Sequence, residues 1–308
     1  MKVPTAKNVL SIDIGGSKII VGIVNSNGEI VVSQKKELPN VYNEAYLLQE
    51  ILSMAKNFES YSPSICGIAI PGLVHQKSGD WLYAPFSNIG HFPISSLIQE
   101  RLQIPTFADN DVNVCALGEK IFGKCKNKDD FVWLTVSNGV GGALFLNGKP
   151  YYGVFGNAGE IGHFYTQEAN DKRCGCGKYG CLETIASGYG IQRHYHALTG
   201  KDVSAKDIAS MARAGDSYAL KTFSAAATAL GKALSYTVNL LNIDTVVLGG
   251  GVGFCAFDLL LPYVQESIDN HRFNQAFDCF NIIQTGLGYH AALIGAAALA
   301  LYKTQSTI

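Results

Sequence analysis

Apolar positions along the chain fall into two kinds of run. Short, nearly continuous runs at 8–14, 19–24, 65–70, 131–136 and 245–248 read as strands. Longer stretches repeat at three- and four-residue spacing. Over 46–58, Leu47, Leu48, Ile51, Leu52, Ala55 and Phe58 share one helical face. Further helices are expected over 112–122, behind the cap cluster Asp109-Asn110-Asp111, and over 185–195, 205–213 and 218–241. A short strand at 106–108, a strand near Ile282 and an Ala-rich terminal helix complete the pattern. Gly15-Gly16-Ser17-Lys18 turns the first strand into the second, and Asn27-Gly28 signals a hairpin into a third. The same order returns about half a chain later: strand 131–136, the glycine turn 138–142, strand 143–146, then Asn147-Gly148. A repeat that long implies two similar domains rather than a solenoid. Strands alternating with helices make them α/β.

Composition narrows the class. The chain has 308 residues, 24 basic and 25 acidic, for a net charge of −1. No Lys/Arg block stands out, so a nucleic-acid partner is not expected. Hydrophobic residues make up 47%, which excludes disorder. Asp13 breaks the N-terminal apolar run, so no export signal is read there. The small-apolar stretch 291–301 is too short for a membrane span. A soluble cytoplasmic protein with no membrane partner is expected. Five cysteines, Cys66, Cys115, Cys125, Cys255 and Cys279, are scattered singly and read as buried hydrophobes. The other three crowd into eight residues.

Those three carry the most specific chemistry. His163 followed by Cys174, Cys176 and Cys181 offers one imidazole and three thiolates, a closed tetrahedral zinc set. Four protein ligands leave no open position, so the metal is structural. Gly175, Gly177 and Gly180 let the chain fold tightly around it. Cysteines one residue apart would strain a disulfide. Glu160 precedes this knuckle and Glu183 follows it, so a metal would hold three hydrogen-bonding side chains, with His163, in fixed positions.

Asp13 stands at a strand end before Gly15 and Gly16, where backbone N–H groups can approach phosphate oxygens while the acid faces Mg²⁺. The second glycine turn suggests a nucleotide held by a pair of turns, with a third contact from Gly249 to Gly251. Asp111 opens a helix, where a cap and a base orienting an alcohol for attack on phosphorus are compatible roles. His91, His194 and His196 read as surface or packing residues. No Gly-x-Ser-x-Gly elbow appears, and no cysteine reads as a nucleophile.

Taken together, these residues resemble the ROK family of sugar kinases and related repressors over nearly the whole chain. The resemblance rests on Asp13-Ile-Gly-Gly-Ser-Lys18, Pro71-Gly72-Leu-Val, Asn88, Asn110-Asp111-Val-Asn113 with Gly118-Glu119, Gly139 to Gly142, Glu160-Ile-Gly-His163 and the run from Cys174 to Glu183. It implies an actin-like ATPase fold: two RNase H-like α/β domains, 1–115 and 116–288, flanking a cleft, with a terminal helix at 289–308 returning to the first. It makes Asp111 the catalytic base. Gly72, Asn88, Asn110, Asp111, Glu160, His163 and Glu183 would contact the sugar. Asp13, Gly15, Gly16, Ser17, Lys18, Asn138, Gly139, Gly141, Gly142 and Gly250 would hold ATP and Mg²⁺. His163, Cys174, Cys176 and Cys181 would hold structural zinc, and because this knuckle borders only the sugar residues, metal loss is expected to weaken sugar binding more than nucleotide binding. A homodimer is implied too.

The implied activity is ATP-dependent phosphorylation of a hexose 6-hydroxyl, glucokinase-like first. N-acetylmannosamine, N-acetylglucosamine and fructose are the alternative substrates. A sugar-responsive regulator without catalysis is the non-enzyme alternative. The family's repressors carry an N-terminal helix-turn-helix, for which a first strand beginning near Asn8 leaves no room. Two positions depart from the family pattern. Ser17 replaces a usual Thr and keeps the hydroxyl. Ser137-Asn138-Gly139 replaces Gly-Thr-Gly, and Ser137 is expected to restrict the turn.

Overall fold

The computed structural model describes residues 8–84, 89–273 and 280–305. They form two α/β units. The first comprises the described residues through Asn127, the segment Tyr152–Asn157 and the chain from His290; the second comprises Lys128–Tyr151 and Ala158–Tyr289.

The first unit is built on a five-stranded sheet. Strands β1 (Val9–Ile14), β2 (Lys18–Val24) and β3 (Ile30–Glu37) form an antiparallel meander, and helix α1 (Glu44–Lys56) leads to β4 (Ile65–Ile70). A two-stranded ribbon, β5 (Leu73–Val74) with β6 (Trp81–Tyr83), and helix α2 (Ile94–Leu102) precede β7 (Thr106–Asn110) and helix α3 (Asp111–Ile121). The strand order is β3-β2-β1-β4-β7, with β1, β4 and β7 parallel. Parallel strands covered on both faces read as continuous apolar runs, and every residue of β4 is buried.

The terminal helix, Ala291–Gln305, packs in this unit through its small residues. A Cβ on Gly67 of β4 would lie 1.8 Å from Ala296 O, and one on Gly295 would lie 2.2 Å from Val114 O of α3. Alanine and glycine here set how closely backbones approach, which explains a composition that resembles a short membrane segment. No helix among the described residues is long and apolar enough to cross a membrane.

The second unit repeats the plan. Strands β8 (Phe131–Val136), β9 (Val140–Leu146) and β10 (Lys149–Tyr151) form the meander, and β11 (Thr245–Gly249) and β12 (Asn281–Gln284) extend it in parallel, in the order β10-β9-β8-β11-β12. Helices α4 (Glu183–Ala186), α5 (Gly188–Thr199), α6 (Ala205–Arg213), α7 (Ser217–Leu241), α8 (Gly250–Cys255) and α9 (Phe257–His271) cover the sheet. Asp216 caps the long α7 by accepting from Ala219 N at 2.8 Å. Gly231 brings α9 close: a Cβ there would meet Val264 O at 2.7 Å.

Several expectations need correction. The helix expected over 185–195 is two helices, interrupted at Ser187, whose extended backbone and side-chain oxygen cap α5 at Gly190 N. The domain boundary expected at 115 falls inside α3, and contacts assign the chain to the first unit as far as Asn127. Cys66, Cys115 and Cys125 are buried thiols as expected, but Cys255, ending α8, is exposed. Asn88 and Cys279 lie outside the described residues.

Candidate functional site

In the first unit the implied site residues gather where β1, β4 and β7 end, the edge of a parallel sheet at which α/β proteins place ligands. Asp13 is the penultimate residue of β1. Burial pushes its carboxyl up to about 6, with the Lys18 charge drawing it back down. The following turn closes with Gly15 N donating to Lys18 O at 2.8 Å. A Cβ on Gly15 would stand 3.3 Å from Lys18 O, a tight contact that the closed turn would have to yield a little to admit.

Gly72, just after β4, has a sharper requirement: its φ is +85° and a Cβ would lie 2.2 Å from Tyr83 O. The Gly72 carbonyl accepts from Asn110 Nδ2 at 3.0 Å. Asn110 Oδ1 meanwhile accepts from Val112 N and Asn113 N, capping α3. One side chain thus fixes the helix start to the β4 turn, and Asp111 is the first residue of that helix. Cys115, one turn further on, is buried and its thiol is held well above its ordinary range by burial and by the charges of Asp111, Asp13 and Glu119. A thiol kept protonated is no nucleophile.

The centre of this corner is Asp109, 2% exposed. Its Oδ1 accepts from Asn110 N at 2.7 Å and Gln76 Nε2 at 3.0 Å, and its Oδ2 from the Tyr152 hydroxyl at 2.8 Å. Burial raises its carboxyl while these donors lower it. In sequence Asp109 reads only as part of a cap cluster. Its partners lie 33 and 43 residues away, and no local signal marks them.

In the second unit β8 ends in the turn Ser137-Asn138-Gly139, closed by Ser137 N donating to Gly139 O at 2.9 Å. Ser137 is not among the residues with positive φ, so its Cβ costs the turn no strain, contrary to expectation. Several neighbouring glycines serve close packing. Gly142 and Gly159 face each other so tightly that a Cβ on either would come within 2.6 Å of the other's carbonyl oxygen. A Cβ on Gly162 would lie 2.0 Å from Val140 O. These contacts press the segment carrying Glu160 and His163 onto β9. Gly250, with φ +80°, sits against Val136 O, 2.6 Å from where a Cβ would be. Gly142 and Gly250 therefore have packing reasons to be glycine, independent of any phosphate.

His163, Cys174, Cys176 and Cys181 come together with their ligand atoms all within 4.8 Å of one another. Cys176 Sγ and Cys181 Sγ are 3.7 Å apart, and Cys174 Sγ is 3.8 Å from His163 Nδ1. Zn–S bonds of about 2.3 Å in a tetrahedron separate two sulfurs by about 3.8 Å, so the donor set fits zinc. The knuckle is held by Cys174 N donating to Lys178 O and Leu182 N donating to Phe164 O. His163 Nε2 faces Glu160, 3.7 Å from Oε2. Partial burial raises the Glu160 carboxyl, with His163 pulling it down and Glu183 pushing it up.

Glu183 lies on the other side of the cluster. Its Oε1 is 3.5 Å from Cys174 Sγ and its Oε2 accepts from Val140 N at 3.2 Å. The knuckle therefore borders the implied sugar residues, and one of these, Glu183, also reaches the second glycine turn.

Residues 9–303 match the ROK family. The chain belongs to that family. Among its relatives, the glucokinase of Halalkalibacterium halodurans is 32% identical over 96% of both chains. The xylose repressor of Bacillus subtilis is 28% identical over 95% of this chain and 76% of the repressor. Among solved structures, a ROK glucokinase from Streptomyces griseus in complex with glucose and AMPPNP superposes with a TM-score of 0.85 at 28% identity, covering 96% of this chain and 99% of the other. The fold is that of the actin-like ATPases, as the ROK resemblance implied.

Proposed function

We propose that this ROK protein is an ATP-dependent hexose kinase that transfers the γ-phosphoryl group to a sugar 6-hydroxyl, with glucose the first substrate to test. The observation that carries this reading is Asp111. It opens α3 from a corner fixed by Asn110 and Asp109 at the edge where Asp13 also lies. A carboxylate at a helix N-terminus stays ionised. It accepts the proton of the hydroxyl it orients, and phosphoryl transfer asks chiefly for that positioning. Asn110, Gly72, Asn88, Glu160, His163 and Glu183 are assigned to the sugar. The turns at Gly15–Lys18 and Asn138–Gly142, with Gly250, are assigned to the nucleotide, and Asp13 to Mg²⁺. Mg²⁺, when bound, neutralises charge on the transferring phosphoryl group. His163, Cys174, Cys176 and Cys181 would hold zinc, which would fix the His163 ring and leave catalysis to other groups.

A second reading, a sugar-responsive regulator without catalysis, is favoured by the 28% identity to a xylose repressor. ADP release measured over glucose, N-acetylglucosamine, N-acetylmannosamine and fructose separates the two. Sugar-dependent release supports the kinase and names its substrate. Sugar binding without release from any of the four supports the regulator. We assign a homodimer as the working assembly, to be checked by the mass in solution.

A further inference from the structure

The turn assigned to phosphate is gripped from both ends of one short helix. At the start of α4, Glu183 Oε2 accepts from Val140 N at 3.2 Å, and a Cβ on Gly139 would stand 2.4 Å from that same oxygen, displacing the side chain. Just past its end, Gly188 N donates to Ser137 O at 2.6 Å. The start of α4 and the residue just past its end therefore both hold the turn.

What sets α4 is the knuckle. Cys181 is two residues before Glu183, and its carbonyl accepts both the backbone N–H of Thr184, at 2.9 Å, and the Thr184 hydroxyl, at 2.8 Å. Leu182 N is tied to Phe164 O, next to His163. The other oxygen of the Glu183 carboxylate lies 3.5 Å from Cys174 Sγ. A zinc-bound Cys174 thiolate would not donate to that oxygen, so the path from cluster to turn runs through Cys181, the start of α4 and the Glu183 side chain.

From this geometry we infer that Glu183 is a positioning residue that couples the His163/Cys174/Cys176/Cys181 cluster to the Ser137–Gly142 turn, so that the metal governs nucleotide binding as well as the sugar side. The inference rests on the reading of this turn as a phosphate turn. Residues in the shell around a metal's ligands typically change affinity or activity by about 10–100-fold when altered. Here the effect reaches a backbone amide on β9.

The test uses the full chain, zinc-loaded or stripped with a chelator, as wild type, Glu183→Gln and Glu183→Ala. The readouts are hydrogen exchange at the Val140 amide and the Kd for magnesium ADP by calorimetry. Stripping the metal from wild type is expected to speed Val140 exchange and to weaken magnesium ADP binding by about tenfold. Glu183→Ala is expected to show both changes while still loaded, with little further loss on stripping. Glu183→Gln, whose amide oxygen can accept from Val140 N, is expected to keep the amide protected. Unchanged Val140 exchange and unchanged magnesium ADP affinity after stripping would overturn the coupling. Were wild type to bind no magnesium ADP at all, the kinase reading would fall, while Val140 exchange would still decide whether the cluster orders the turn.

Discussion

The Tyr152 hydroxyl donates to Asp109 Oδ2 over 2.8 Å, joining the segment that follows β10 to the corner that launches α3. Asp109 also holds Gln76 and the Asn110 backbone, so its loss would leave several donors without an acceptor in a buried place. Asp109→Ala is expected to destabilise the protein by about 3 kcal/mol, and Tyr152→Phe by about 1 kcal/mol. Urea unfolding of the two variants checks the order. A Tyr152→Phe loss equal to that of Asp109→Ala would show that the tyrosine, not the carboxylate, is the hub.

The terminal helix gives a steric prediction. Gly295→Ala would drive a methyl group into Val114 O, 2.2 Å from its ideal position, and Gly67→Ala would meet Ala296 O. Each is expected to cost about 3 kcal/mol or more, because backbone cannot yield as a flexible side chain does. Gly295→Ala should also lower kcat, since the displaced atom belongs to the helix that carries Asp111. Thermal melts and kinetics on the same samples check this pair, and unaltered melting temperatures would refute the close packing.

His194 gives the pH dependence. Its half-buried ring has one nitrogen, Nδ1, without a partner, and burial together with Lys172 and Lys221 holds its pKa below the ordinary 6.5. Folding favours the neutral ring. Its contribution to stability is therefore present above pH 6.5 and is lost as pH falls through the depressed folded value. Replacement by Gln removes this proton uptake. The stability difference between wild type and His194→Gln should shift in the variant's favour on going from pH 7.5 to pH 5. Denaturation midpoints at the two values measure it, and a constant difference would exclude a depressed pKa.

The metal assignment has a direct count. Elemental analysis should find about one zinc per chain in wild type and little in the Cys176→Ser/Cys181→Ser double variant, because half the ligand set is gone. Equal zinc in both would contradict the assignment.

Local chemistry accounts for what is legible in the sequence. Asn110 and Asp111 announce a helix start because capping is decided within three residues. The knuckle is legible because its cysteines fall within eight positions. Both glycine turns appear as the ends of apolar runs. The unread parts depend on distant partners or on missing signals. Asp109 meets Tyr152 only in the folded chain. Helix α2 starts after Pro93, which provides no side-chain cap, and ends at Gln103 in the left-handed region, where a glycine would have marked the stop. Strands β5 and β6 are too short to show a period. Ser187 splits the 183–199 stretch because its hydroxyl caps α5 from within an otherwise helical pattern. That split matters most, since it presents Gly188 to Ser137 and Glu183 to Val140.

The central claim is that Asp111 orients the attacking sugar hydroxyl. Sugar-dependent ADP release by wild type and Asp111→Asn, measured beside sugar binding by calorimetry, tests it most directly. The expected result is a fall in kcat of about 10²–10⁴-fold with sugar affinity largely kept. An Asp111→Asn variant that keeps the wild-type kcat would contradict it.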